Sequence, residues 1–142
     1  MARTRRQGAA PALSTAEKNR LVKAARSMLE RAYAPYSHFH VGAAVLTAKG
    51  NVHTGCNVEN ASYGLTNCAE RSAICSAVAA EGAGMKLRAV VVVNREEAPC
   101  SPCGACRQVI FEFGRNAVVL YQGKARLEES SAAQLLPSGF KL

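Results

Sequence analysis

The chain has 142 residues, 49% of them hydrophobic and 20% charged, enough for one domain with a buried core. It contains no aspartate, which excludes aspartate dyads and Ser-His-Asp triads. The formal charge of +8 sits mainly at the start: residues 1–31 hold eight Lys and Arg against two Glu, residues 32–142 hold ten against eight, and no basic groove for a nucleic acid is expected.

Residues 1–13 read as a flexible basic tail, and residues 14–142 as a single domain. The tail has charges but no apolar h-region, so it does not resemble a secretory signal. No apolar run approaches the roughly 20 residues needed to span a bilayer. These features predict a cytoplasmic protein without a membrane partner. Ser14 and Glu17 form the capping-box pattern. Leu21, Ala24, Ala25, Met28, Leu29 and Ala32 then recur at helical spacing, in a helix expected to stop before Pro35. Residues 40–47 and 51–56 predict a hairpin around Lys49-Gly50-Asn51. A polar loop follows over 57–67. The Ala-rich stretch 68–81 predicts a buried helix. The continuous apolar run from Leu87 to Val93 predicts a strand covered on both faces. A helix over 103–113, a strand over 117–121 and a short helix over 130–135 complete the order, which implies one mixed sheet with helices on both faces.

The chemistry is concentrated in two stretches, Cys68-Ala69-Glu70-Arg71 and Pro102-Cys103-Gly104-Ala105-Cys106-Arg107. Three thiolates can hold one metal ion and leave a fourth position open, as catalytic sites do and closed structural sites do not. Glu70 beside that position is a proton carrier. Cys68 and Cys103 each fall where a helix should begin, and a helix N-terminus favours thiolate. Cys68 and Glu70 are two residues apart, so they converge only if the metal lies over the helix tip. Three thiolates also leave excess negative charge, which Arg71 or Arg107 is placed to offset. Cys56 and Cys75 read as buried core thiols. Cys100 extends the spacing toward an iron–sulfur run, but Arg107 stands where that run has Pro, and Cys100 reads as a non-ligand. His38, His40 and His53 are not expected to be ligands.

These motifs belong to a longer match. Tyr36-Ser37-His38-Phe39 before Val41-Gly42-Ala43-Ala44, the stretch from Gly55 to Thr66, Gln108 after the second cysteine pair, and Leu135-Leu136-Pro137 with Phe140 all contribute. Over residues 15 to 140 the chain resembles the cytidine deaminases of the small, homotetrameric, zinc-dependent class. The resemblance implies an α/β fold, a three-layer α-β-α sandwich with a mixed sheet of about five strands. It implies one Zn²⁺ per chain on Cys68, Cys103 and Cys106, with Glu70 as the catalytic acid and base. It implies hydrolysis of cytidine and deoxycytidine to uridine and deoxyuridine with release of ammonia, as in pyrimidine salvage. Asn57 and Glu59 would then hold the ribose hydroxyls, Phe39 would lie against the base, and the Ala69 N–H would bind a pyrimidine oxygen. Ala61, Tyr63 and Phe140 would reach a pocket across subunit boundaries of a homotetramer. Arg71 would sit behind the sulfurs.

His40 stands where that family commonly has Pro, which predicts a local change near Phe39. The basic start of the chain has no role that the resemblance explains. Three other readings compete. A deaminase of modified nucleosides would alter the sugar loop, and Asn57 and Glu59 argue for plain nucleosides. A polynucleotide editor would need a basic groove. A non-catalytic zinc or iron–sulfur module would need a fourth protein ligand and leaves Glu70 unexplained.

Overall fold

The computed structural model describes residues 12–142. Residues 1–11 of the expected tail lie outside that range, and Leu13 is already packed, at 7% exposure. Helix α1 (Thr15–Ser27) opens on the anticipated capping box: Glu17 N donates to Ser14 Oγ at 3.1 Å and Ser14 N donates to Glu17 Oε2 at 2.9 Å. The helix is shorter than its periodicity implied. A 3-10 turn, Leu29–Arg31, takes over before Pro35.

Strands β1 (Val41–Thr47) and β2 (Val52–Cys56) form the predicted hairpin. Helix α2 (Ala69–Glu81), strand β3 (Leu87–Asn94), helix α3 (Gly104–Phe113) and strand β4 (Val118–Gln122) follow close to their expected positions. Strand β5 (Leu127–Ser131) has no counterpart among the elements read along the chain, and it completes the five-strand sheet that the resemblance implied. It takes up Ser130 and Ser131, so the last helix, α4 (Ala132–Leu135), starts two residues later than expected. Its segment, Leu-Glu-Glu-Ser-Ser, has one apolar side chain and no strand alternation. The pairing with β4 at the sheet edge makes it a strand.

The sheet runs β2-β1-β3-β4-β5. Only β3 and β4 are parallel, joined by α3 as the crossover; the other pairs are antiparallel. Alternate residues of the central strands feed two cores. Ala43, Val45 and Val90 pack with Ala73, Ile74 and Ala77 of α2 and with Ile110 of α3. Ala44, Leu46, Val91 and Val93 pack with Leu21 and Ala25 of α1. The result is the α-β-α sandwich, with α1 on one face and α2, α3 and α4 on the other. Because β3 has a core on each side, its run of valines needs no alternation.

Two details fix α2. At its start, Gly55 of β2 lies so close that an added Cβ would sit 2.3 Å from Ala73 N and 2.6 Å from Ala69 O. At its end, Glu81 Oε1 accepts from Thr47 Oγ1 at 2.8 Å and Asn51 Nδ2 at 3.0 Å, with His53 Nε2 at 3.1 Å. Gly55→Ala is therefore expected to destabilise the chain by about 1–3 kcal/mol through overpacking. Denaturant unfolding of the purified variant checks this, and an unchanged midpoint would mean that α2 can retreat from the hairpin.

Candidate metal centre and active site

The cysteines stand where the backbone turns into helix. Cys68 is the N-cap of α2 and Cys103 the N-cap of α3, both with extended backbone; Cys106 lies in the first turn of α3. Their three sulfurs all lie within 4.8 Å of one another, and Cys68 Sγ is 3.9 Å from Cys103 Sγ. A tetrahedral ion about 2.3 Å from each of three sulfurs sets them roughly 3.8 Å apart. The donor set and its spacing fit such an ion. Among the described residues no other group of three or more metal-binding side chains comes together, and Cys100 is outside the cluster.

Charge in this corner is held by hydrogen bonds. The Cys68 thiol is pulled down to about 5, first by its hydrogen bond with Cys106 and then by Arg71. Arg71 Nη2 donates to Cys68 Sγ at 3.4 Å and to Thr66 O at 3.4 Å. Cys106, buried against Cys68, is pushed well up and keeps its proton. Glu70, 5% exposed, is raised to about 7, mainly by burial, with the charge on Cys68 adding to the shift. Arg71 Nε is buried without an acceptor. The guanidinium thus has donor capacity to spare, as suits a cluster bearing more than one thiolate. Arg107 does not share this task. Its guanidinium turns to Pro102 O, Leu135 O and Ser101 Oγ instead.

A cavity of about 270 Å³ opens beside the sulfurs. Phe39, Asn57 and Glu59 line it together with Cys68, Ala69, Glu70 and Cys103. A larger hollow of about 570 Å³, by Lys86, Phe111 and Arg115, shares no residue with it and has no metal-binding cluster. Asn57 and Glu59 also hold the loop that carries Phe39. Asn57 Nδ2 donates to Phe39 O at 2.7 Å, and its Oδ1 accepts from Val41 N at 2.9 Å. Glu59 accepts from the Tyr36 and Ser37 amides and the Ser37 hydroxyl, and these bonds lower its carboxyl, the hydroxyl most of all. His40 Nδ1 lies 3.2 Å from Leu29 O, a tie to the end of the α1 region that a proline could not make.

Residues 15–122 match the family model described as the cytidine and deoxycytidylate deaminase zinc-binding region. Cytidine deaminase of Sporosarcina psychrophila is 47% identical over 123 residues, covering 85% of this chain and 89% of that one. The crystal structure of cytidine deaminase from Burkholderia pseudomallei superposes with a TM-score of 0.80 at 46% identity, over 90% of this chain and 100% of that one. That from Mycobacterium tuberculosis gives 0.77 at 41%, over 89% and 98%. The chain belongs to the cytidine deaminase family. It is accordingly an enzyme, a hydrolytic deaminase, with a cluster suited to metal, and no described helix is long and apolar enough to cross a membrane.

Three residues singled out in the deaminase sequence lie elsewhere. Tyr63, 76% exposed, lines an adjoining hollow of about 380 Å³ that shares Ser37, Glu59 and Thr66 with the cavity. Phe140 is 67% exposed beside the larger hollow, and Ala61 is exposed. Cys75, expected to be buried, is exposed on α2, and Cys56 is half-buried with its thiol directed to Arg31 O at 3.5 Å. Thr66 and Ser101 line the cavity without having been foreseen. A signal was present: each stands two residues before an N-cap cysteine. With the metal removed, alkylation of Cys68 is expected to move to higher pH in Arg71→Ala and further in Cys106→Ala, because each change removes a donor to the thiolate. Mass-spectrometric mapping across a pH series checks this; an unmoved profile would mean that neither partner holds the charge.

Proposed function

We propose that the chain hydrolyses cytidine and deoxycytidine to uridine and deoxyuridine, releasing ammonia, with one zinc ion on Cys68, Cys103 and Cys106. The observation that carries this reading is a buried glutamate and three clustered sulfurs at one end of a nucleoside-scale cavity. When bound, zinc supplies Lewis acidity that lets water ionise near neutral pH. Glu70 takes the proton from the attacking water and delivers it to the ring N3. After attack at C4, the same carboxylate takes the remaining proton from the added hydroxyl and hands it to the amino group, which leaves as ammonia as the C4–N bond breaks and the C4 carbonyl forms. A buried carboxyl that holds its proton near neutrality is suited to serve as both base and acid.

Ala69 opens α2, so its N–H has no partner within the helix and is available to a pyrimidine oxygen. Arg71 offsets the sulfur charge. Phe39 lies along the base. Asn57 and Glu59 reach the sugar hydroxyls while also bracing the Phe39 loop. Ala61, Tyr63 and Phe140 complete the pocket of a neighbouring subunit in a homotetramer, a reading supported by their exposure on the single chain. Residues 14–142 act as one domain, in a cytoplasmic enzyme of pyrimidine salvage that uses free nucleosides and no nucleic acid.

Glu70→Gln is expected to keep the fold and one zinc per chain while turnover of cytidine falls roughly 100- to 10,000-fold. The ultraviolet change from cytidine to uridine and metal analysis together read this, and near-normal turnover would remove Glu70 from the chemistry. Cys103→Ala is expected to lose zinc and activity together. Full zinc retention there would move the metal elsewhere.

A further inference from the structure

Arg107 has a built arrangement that the chemistry above does not use. It follows Cys106 directly, and its own amide donates to Cys103 O at 2.9 Å, so its Cα is fixed to the ligand turn. Its side chain then meets three separate acceptors. Nε donates to Pro102 O at 2.7 Å, Nη2 to Ser101 Oγ at 2.9 Å and Nη1 to Leu135 O at 3.0 Å. Two of these acceptors lie in the two residues before Cys103. The third is the last residue of α4, where a carbonyl has no helical partner. The neighbouring Gln108 repeats the pattern, donating through Nε2 to Phe140 O at 3.2 Å.

Cys103 is an N-cap with extended backbone, so the direction of its sulfur is set by how Ser101 and Pro102 enter the helix. Ser101 also lines the catalytic cavity, and Pro102 is fully buried. One planar fork therefore governs a ligand sulfur and a cavity wall at once. It also ties both to the segment between Leu135 and Phe140. We infer that Arg107 is a positioning residue: it holds Cys103 and the Ser101 wall in the shape that metal and substrate need, and couples that shape to the C-terminal segment. Lysine cannot replace it, because an ammonium is a single point and cannot span three acceptors arranged around a plane.

This inference rests on the metal-site reading given above. The test uses Arg107→Lys in the full, zinc-loaded chain. Transfer of zinc to a chromogenic chelator is expected to quicken by about 10- to 100-fold, with a comparable fall in kcat/KM for cytidine. In the cobalt-substituted variant the thiolate-to-metal absorption is expected to shift, a change that loss of stability alone would not produce. A lowered unfolding midpoint with wild-type chelator kinetics and a wild-type cobalt spectrum would overturn the proposal and leave Arg107 a structural residue. Should Arg107→Lys fail to fold, Ser101→Ala removes one acceptor at an exposed position; zinc release several-fold faster supports the role, and a wild-type rate overturns it. Wild-type protein purified without zinc would sink the metal-site reading itself. One zinc in the wild type with an unaltered Arg107→Lys would sink only the positioning role.

Discussion

Two helices begin at one point, and the rest of the structure is arranged around that convergence. Cys68 and Cys103 can stand 3.9 Å apart only if the N-termini of α2 and α3 meet. The sheet provides for this. α3 is the crossover between parallel strands β3 and β4, so it starts beyond the carboxyl end of β3. Ligand sites in open α/β sheets form at that end. Val92, near the end of β3, lines the cavity, and Asn94 closes the following loop by bonding Ala98 through both its amide oxygen and its amide nitrogen. α2 is brought to the same place from the other side, over the hairpin.

The convergence concentrates acidic groups. Three thiols, from exposed Cys103 to buried Cys106, and a buried glutamate share one corner with one guanidinium that donates to Cys68 Sγ. Without metal they cannot all be charged. Cys68 takes the anionic role, Cys106 keeps its proton, and Glu70 is held near neutral pH by burial. Metal binding must therefore displace the Cys106 proton, and affinity must rise with pH. The same helix tips that favour thiolate leave first-turn N–H groups without helical partners, and Ala69, at the tip of α2, lines the cavity.

Much of this was legible in the residues. The Ser14–Glu17 capping box, the hairpin, the valine strand and the two N-cap cysteines each carry a local signal strong enough to stand without tertiary help. The requirement that Cys68 and Glu70 meet only at a helix tip followed from a spacing of two. What escaped was set by pairing or by distant partners. β5 is a strand because β4 lies beside it. Cys75 is exposed because α2 buries the stripe of Ala69, Ala73, Ile74 and Ala77, and Cys75 lies off that stripe. Arg71, three residues after Cys68, was expected behind the sulfurs and donates to Cys68 Sγ, whereas the turn of Arg107 toward Ser101, Pro102 and Leu135, the last twenty-eight residues on, carried no local signal. The double duty of Asn57 and Glu59 was hidden for the same reason. Their partners, Phe39 and Ser37, lie across a loop whose closure no local pattern specifies.

Helix α2 is secured at both extremities. Its first turn is wedged against a bare glycine and its last residue is grasped by three hydrogen-bonding groups from the hairpin. A rod held so cannot hinge. The outer wall of the cavity is therefore shaped by the segments 36–40 and 57–67, which lie outside the sheet strands and are joined to each other by side chains. The second of these segments runs straight into Cys68, and Arg71 grips Thr66 O as well as Cys68 Sγ, so a shift of that wall is felt at the sulfurs.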